Sequence, residues 1–159
     1  MNDAARPGGA LPARSIGVVR CAVTEGRDED WGDVVSELVL DAELARGLDG
    51  VDAFSHVVVV YWMHQSSFDA ARDLVRRPRG RDDMPELGIF AQRAKHRPNP
   101  IGITAARVVG RDGAVLRVRG LDAIDGTPIL DVKPYVPAFD RVDAPTVPEW
   151  MDRLMRGYF

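Results

Sequence analysis

The chain has 159 residues, 45% of them hydrophobic and 28% charged, the balance of an ordinary globular protein and enough chain for one domain with its own core. A single cysteine, Cys21, excludes an internal disulfide framework, and no stretch has the apolar length of a membrane span or the pattern of a signal peptide, which leaves the cytoplasm as the default location. The net charge of −3 excludes a grip on a polyanion through the field of the whole molecule, so any nucleic-acid contact has to come from a local basic patch.

Met1–Arg14, rich in Ala, Gly, Pro and Arg, reads as a disordered lead-in to a single domain over residues 15–159. Ile16–Cys21 alternates weakly and reads as a first strand, followed by a polar loop over Thr24–Asp30. Val34–Leu40 alternates as a half-buried strand does. Asp41 is placed as the N-cap of a short helix ending near Gly47. Val57–Trp62 is a continuous β-branched and aromatic run, which predicts a strand covered on both faces. Asp69–Arg77 suits one or two helical turns, ended by Pro78. Further on, the Arg97-Pro98 and Asn99-Pro100 steps force extended or turn geometry, so the segment carrying Arg93, Lys95, His96 and Arg97 is a stiff cationic loop.

Ile103–Val109 and Val115–Arg119 follow as strands, joined by an Asp112-Gly113 hairpin turn, with Leu116 and Val118 on one face and Arg117 and Arg119 on the other. Ile129–Lys133 reads as a last core strand, then comes Pro-rich coil, and Pro148–Met155 reads as a C-terminal helix begun by Pro148 and Glu149. Many short strands, few helices and hairpin punctuation predict a mainly β fold, a compact β-barrel with short helical decorations and a C-terminal helix. There is no internal repeat, and no Gly-x-Gly-x-x-Gly follows a first strand, which argues against a Rossmann-type fold.

Two stretches carry the chemistry. One is Gly88-Ile89-Phe90-Ala91-Gln92-Arg93 running into Arg97-Pro98-Asn99-Pro100-Ile101-Gly102; the other is Leu121-Asp122-Ala123-Ile124-Asp125-Gly126-Thr127-Pro128-Ile129-Leu130-Asp131-Val132-Lys133-Pro134-Tyr135. Weaker signals precede them at Ile16–Arg20 and at Phe54-Ser55-His56 through His64-Gln65. In this order, over roughly Ser15–Asp140, the sequence resembles the TsaA/TrmO-like family of S-adenosylmethionine-binding β-barrel methyltransferases.

The resemblance implies a cofactor site made by Trp31, Gly32, His64, Gln65, Phe90, Arg93, Ile103, Asp125, Gly126, Thr127 and Pro128. Arg93 suits the cofactor carboxylate, because a guanidinium meets a carboxylate through two parallel hydrogen bonds; an ion pair to a structural aspartate is the alternative. Phe90 can stack on the adenine or belong to the core, and Asp125-Gly126-Thr127-Pro128 can be a ligand turn, an Asx-type turn before a strand, or both. Asp122 and Asp131 pose the same choice. Lys133 and Tyr135 are the candidate catalytic pair, near the methyl acceptor, although Asp131 and Lys133 share a strand face at the spacing of a salt bridge. Lys95, His96, Arg97 and Asn99 are placed at the substrate. No metal is implied, and the scattered histidines with Cys21 do not have metal-ligand spacing.

The substrate the family implies is a tRNA, methylated at N6 of the threonylcarbamoyl-modified adenosine beside the anticodon by a homodimer. A second basic group, Arg72, Arg76, Arg77, Arg79 and Arg81, is either a further RNA contact or a solvated loop. Three departures bear on this. Gln92-Arg93-Ala94-Lys95 stands where the family carries Thr-Arg-Ser-Pro; Asp28–Gly32 is more acidic and bulkier than the usual cofactor loop; and the sequence ends at Phe159, without the extra C-terminal domain of longer members. A methyltransferase with a small-molecule or other acceptor, and a non-catalytic S-adenosylmethionine-binding module, are the alternatives.

Overall fold

The computed structural model describes residues 11–159, so the expected lead-in lies, up to residue 10, outside the described residues. The strands are β1 (Gly17–Arg20), β2 (Val35–Leu40), β3 (His56–Trp62), β4 (Val75–Arg76), β5 (Leu87–Gly88), β6 (Ile101–Asp112), β7 (Val115–Arg119) and β8 (Pro128–Pro134). The short helices are α1 (Ala70–Asp73), α2 (Pro137–Asp140) and α3 (Glu149–Leu154). Six strands close an antiparallel barrel in the order β1-β2-β7-β6-β3-β8, and β4 pairs with β5 as a separate small sheet. Closure is made by Gly17 opposite Ile129 and Val18 opposite Pro128. The expected barrel with helical decorations is the fold.

Alternation builds the core. Val19, Leu38, Val57, Val59, Leu116 and Ile129 come from five strands and are all fully buried, while their sequence neighbours point outward. In β7, Leu116 and Val118 face in and Arg117 and Arg119 face out, as expected, and the Asp112-Gly113 turn joins β6 to β7. At roughly 25 cal/mol per Å² of apolar surface removed from water, such side chains contribute about 1.5–3 kcal/mol each.

Local structure departs from expectation in five places. Ala42–Leu48 is a 3-10 helix, and the Asp41 side chain makes no capping bond. With Leu48 its only buried residue, this segment has no apolar stripe to hold an α-helix against the core. β3 is not covered on both faces: Val57, Val59 and Tyr61 are buried, Val58 and Val60 are half-buried, and Trp62 is exposed. Valine favours a strand on either face, so its run hid the one-sided burial of an antiparallel barrel. The helix expected over Asp69–Arg77 ends at Asp73, and Val75 and Arg76 instead pair with Gly88 and Leu87. β6 extends at both ends beyond the expected Ile103–Val109, passing through an irregularity between Val108 and Gly110. Part of the Pro-rich coil forms α2, begun by Pro137, and Pro148 caps α3 rather than lying inside it.

Candidate functional site

Where β3 runs out into Met63-His64-Gln65 and β6 enters from Pro100, the surface opens into a cavity of about 1060 Å³. That is at or above the upper end of small-molecule sites, and room enough for a nucleotide-sized ligand beside a second reactant. Three further segments wall it: the loop around Arg27–Trp31, the segment Gln92–Asn99, and the C-terminal residues from Trp150 to Phe159.

The Gln92–Asn99 segment is stiff because it is tied internally and to the small sheet. Arg97 Nη1 donates to the carbonyls of Gln92 at 3.1 Å and Ala94 at 3.5 Å. The buried Gln92 amide donates to the Arg76 carbonyl at 2.8 Å and to the Leu87 carbonyl at 2.9 Å, one on each strand of the small sheet. Arg93 Nη2 donates to the Ile103 carbonyl at 2.7 Å. Among the described residues Arg93 has no carboxylate within ion-pairing distance, so most of its five donors remain available to a ligand. Phe90 stands on a 3-10 turn and is 77% exposed at the cavity, because its neighbour Ile89 takes the core position. His96 Nδ1 lies 2.8 Å from the Ser67 carbonyl oxygen.

Of the residues expected at the cofactor, Trp31, His64, Gln65, Phe90, Arg93, Ile103 and Thr127 line this cavity. The four expected at the substrate, Lys95, His96, Arg97 and Asn99, line it too. Gly32, Asp125, Gly126 and Pro128 are not part of its lining. Asp125-Gly126 forms the centre of a turn in which the Thr127 amide donates to the Ile124 carbonyl at 3.2 Å, and Gly126 takes the positive φ of +79° that this turn requires. The Asp125 carboxylate does not close an Asx-type turn: it accepts from the Cys21 amide at 3.2 Å and from Arg20 at 3.5 Å, tying the turn to β1. Lys133 and Tyr135 sit elsewhere. Lys133 lies opposite Val58 and pairs with Asp131 at 2.7 Å, a contact that raises its pKa, and the Tyr135 ring packs edge-on to His56. Neither belongs to the cavity's lining: Lys133 is four residues, roughly 13 Å, along β3 from Trp62, and the Tyr135 amide donates to the His56 carbonyl at the far end of that strand.

Asp122, for which the sequence left the choice between ligand and structure open, is part of the cavity wall. Asp122 accepts hydrogen bonds from Tyr61 at 3.0 Å, from Tyr158 at 2.6 Å and from Thr104. Burial, reinforced by the charge of Asp122, pushes both phenols far above the usual tyrosine range, so they act as proton donors at any ordinary pH. Tyr158 is brought here by the chain beyond α3: the Asp30 amide donates to the Gly157 carbonyl at 3.0 Å and the Trp31 amide to the Tyr158 carbonyl at 2.9 Å. The Arg79 guanidinium lies 5.6 Å from the Tyr158 ring centroid and also pairs with Asp28 at 3.3 Å. No local pattern announces these long-range contacts, although Asp122 stands within the second chemical stretch of the sequence.

Electrostatically the wall is cationic, with Arg27, Arg76, Arg79, Arg93, Lys95 and Arg97 against the carboxylates of Asp28 and Asp122. Arg76 Nε and Gln92 Oε1, both on lining residues, are buried without a protein partner among the described residues. A site with a free guanidinium fork, an exposed aromatic face, orphaned polar atoms and one central carboxylate suits a zwitterionic ligand with a ring system. Among the described residues no three His, Cys, Asp or Glu side chains converge as a metal would require, and no helix is long and apolar enough to cross a membrane.

Comparison with known proteins bears on the same residues. An S-adenosyl-L-methionine-binding protein of Archaeoglobus fulgidus is 36% identical over 134 residues, covering 82% of this chain and 93% of that protein. The tRNA (adenine(37)-N6)-methyltransferase of Escherichia coli is 36% identical over 104 residues, and there the match covers 63% of this chain but only 44% of the relative. The crystal structure of TrmO from Pseudomonas aeruginosa superposes with a TM-score of 0.68 at 30% identity, over 87% of this chain and 62% of that one. The model of the tRNA-methyltransferase O N-terminal domain matches residues 28–141, which takes in β2 to β8 and nearly every cavity segment except the C-terminal one. With its barrel, its cavity and its relatives in agreement, the chain belongs to the tRNA-methyltransferase O N-terminal domain family.

Proposed function

We propose that the cavity binds S-adenosylmethionine and that the protein transfers its methyl group to N6 of the threonylcarbamoyl-modified adenosine beside a tRNA anticodon, in the cytoplasm. The observation that carries this reading is the convergence of Arg93, His64, Gln65, Phe90 and Thr127 on one cavity, in a chain whose relatives are named for binding S-adenosylmethionine and for tRNA adenine(37)-N6 methylation. The free donors of Arg93 would hold the cofactor carboxylate, the exposed Phe90 would flank the adenine, and Trp31, buried under Arg27, would back that wall. Gly32, Asp125, Gly126 and Pro128 would shape the wall from behind. The cofactor supplies an electrophilic methyl group, so what remains for the protein is alignment of the acceptor and exclusion of water.

Lys95, His96, Arg97 and Asn99 form a basic rim that suits a base splayed out of an RNA loop. Lys133 and Tyr135 do not line the cavity of their own chain. A homodimer in which these residues face the cavity of the neighbouring subunit would give them a role at the acceptor. A small-molecule acceptor is the second reading, favoured by the net charge of −3. The test is a pair of titrations: calorimetry with S-adenosylmethionine, then tRNA that carries the threonylcarbamoyl-adenosine but lacks this methyl group, at increasing salt. Saturable cofactor binding with a steep salt dependence of tRNA affinity supports the proposal, because each phosphate contact releases counterions. Cofactor binding without tRNA binding at any salt refutes the tRNA assignment.

A further inference from the structure

Asp122 differs from Asp28, the other carboxylate of the cavity wall, in how its charge is balanced. Asp28 has an ion-pair partner in Arg79, and Arg76 shares the buried Asp73 with Arg72. Asp122 has only neutral partners among the described residues, the hydroxyls of Tyr61, Thr104 and Tyr158. Three hydroxyl donors converge on this one carboxylate, and none of them carries a positive charge to pair with it. The result is a carboxylate without an ion-pair partner in the wall of a cationic cavity, held by groups from β3, β6 and the C-terminal segment.

The third donor has a separate significance. Tyr158 lies outside residues 28–141, the part matched by the family model, yet its segment contributes Trp150, Met151, Leu154, Met155 and Phe159 as well to the cavity wall. The backbone bonds from Asp30 and Trp31 fix that segment, so the phenol reaches Asp122 at 2.6 Å from a defined direction. A carboxylate without an ion-pair partner, oriented in this way, attracts a ligand cation and gains little from a neutral group of the same shape.

We propose that Asp122 is a charge-selective residue of this site, favouring a ligand that carries the sulfonium cation over the neutral thioether left once the methyl group has gone, and that Tyr158 is the residue that positions it. The proposal rests on the cavity being an S-adenosylmethionine site. Its role is to favour the loaded cofactor and to release the spent one, since both carry the same carboxylate, ammonium and adenine and differ at the sulfur. Arg93 and the aromatic walls, which see those common groups, do not discriminate between the two.

The experiment is calorimetric titration of wild-type, Asp122→Asn and Tyr158→Phe protein with S-adenosylmethionine and with S-adenosylhomocysteine, alongside thermal melts. Loss of this carboxylate's charge is expected to lower S-adenosylmethionine affinity about tenfold or more in Asp122→Asn, leaving S-adenosylhomocysteine within about twofold. Tyr158→Phe is expected to shift the ratio of the two affinities in the same direction by a smaller factor, with a lowered melting temperature from the lost bond to a charged acceptor but a folded protein. Asparagine keeps an acceptor for Tyr61 and Thr104; should Asp122→Asn fail to fold, the ratio in Tyr158→Phe decides. Equal losses for both ligands, or an unchanged ratio in the folded variants, overturn the proposal. Wild-type protein that binds neither ligand overturns it together with the cofactor reading, which separates the two failures.

Discussion

Gly102→Ala is the substitution for which the structure gives the sharpest expectation. Gly102 faces Tyr61 across the β3–β6 ladder, and a Cβ built on it would lie 2.8 Å from the Tyr61 hydroxyl oxygen and closer still to two carbons of the ring. The ring cannot easily swing away, because it is 3% exposed and its hydroxyl is bonded to Asp122 at 3.0 Å. Overpacking of this kind costs about 1–3 kcal/mol. Displacing the phenol from a charged acceptor adds about 1.5–3 kcal/mol. For a domain of this length each kcal/mol is worth about 2–4 °C, so the variant should melt roughly 5–20 °C below wild type. Urea and thermal unfolding give the number, and Gly102→Ala in a Tyr61→Leu background should cost much less, because the ring that clashes is gone. A melting temperature within about 1 °C of wild type, or the same penalty in both backgrounds, would refute the reasoning.

Arg93→Ala should weaken S-adenosylmethionine binding by at least about tenfold in calorimetry, the loss expected for a charge-assisted contact; near-wild-type affinity would remove Arg93 from the site. Lys133→Ala should leave cofactor affinity within about twofold while reducing methyl transfer, and a large affinity loss would contradict a role at the acceptor. Asp73 accepts from Arg72 at 2.7 Å and from the Asp69 amide at 2.9 Å, and the Arg72 bond is the main cause of a pKa lowered to about 2. Since the folded value lies below the unfolded one of about 3.9, its stabilisation is complete above pH ~4 and disappears as pH falls through about 2. Urea midpoints of wild type and Asp73→Asn should therefore converge over that window; parallel curves would show that Asp73 is not the group responsible.

The barrel was legible because β-strand alternation is a local signal: Leu116 and Val118 against Arg117 and Arg119 announce one buried face without knowledge of the partner strands. The Asp112-Gly113 turn was equally local. What failed depended on neighbours. Val57–Trp62 could not reveal that one face looks outward, and Val75 and Arg76 are a strand only because Leu87 and Gly88 lie beside them. The cavity followed the same division. Arg93 and Phe90 stood out through residue type and the stiff prolines nearby. Asp122 acquires its place only through Tyr61, Thr104 and Tyr158, which lie 61, 18 and 36 residues away along the chain. Lys133 and Tyr135 show the limit from the other side, since a contiguous stretch of sequence runs from the cavity end of β8 to its far end.

The central claim is methyl transfer to tRNA. Its most direct test is nucleoside mass spectrometry after purified protein, already shown to bind the cofactor, is incubated with S-adenosylmethionine and tRNA lacking this methyl group. The account predicts a gain of one methyl on the threonylcarbamoyl-adenosine, and none with Arg93→Ala. Cofactor-bound protein that leaves every tRNA nucleoside unchanged would contradict it.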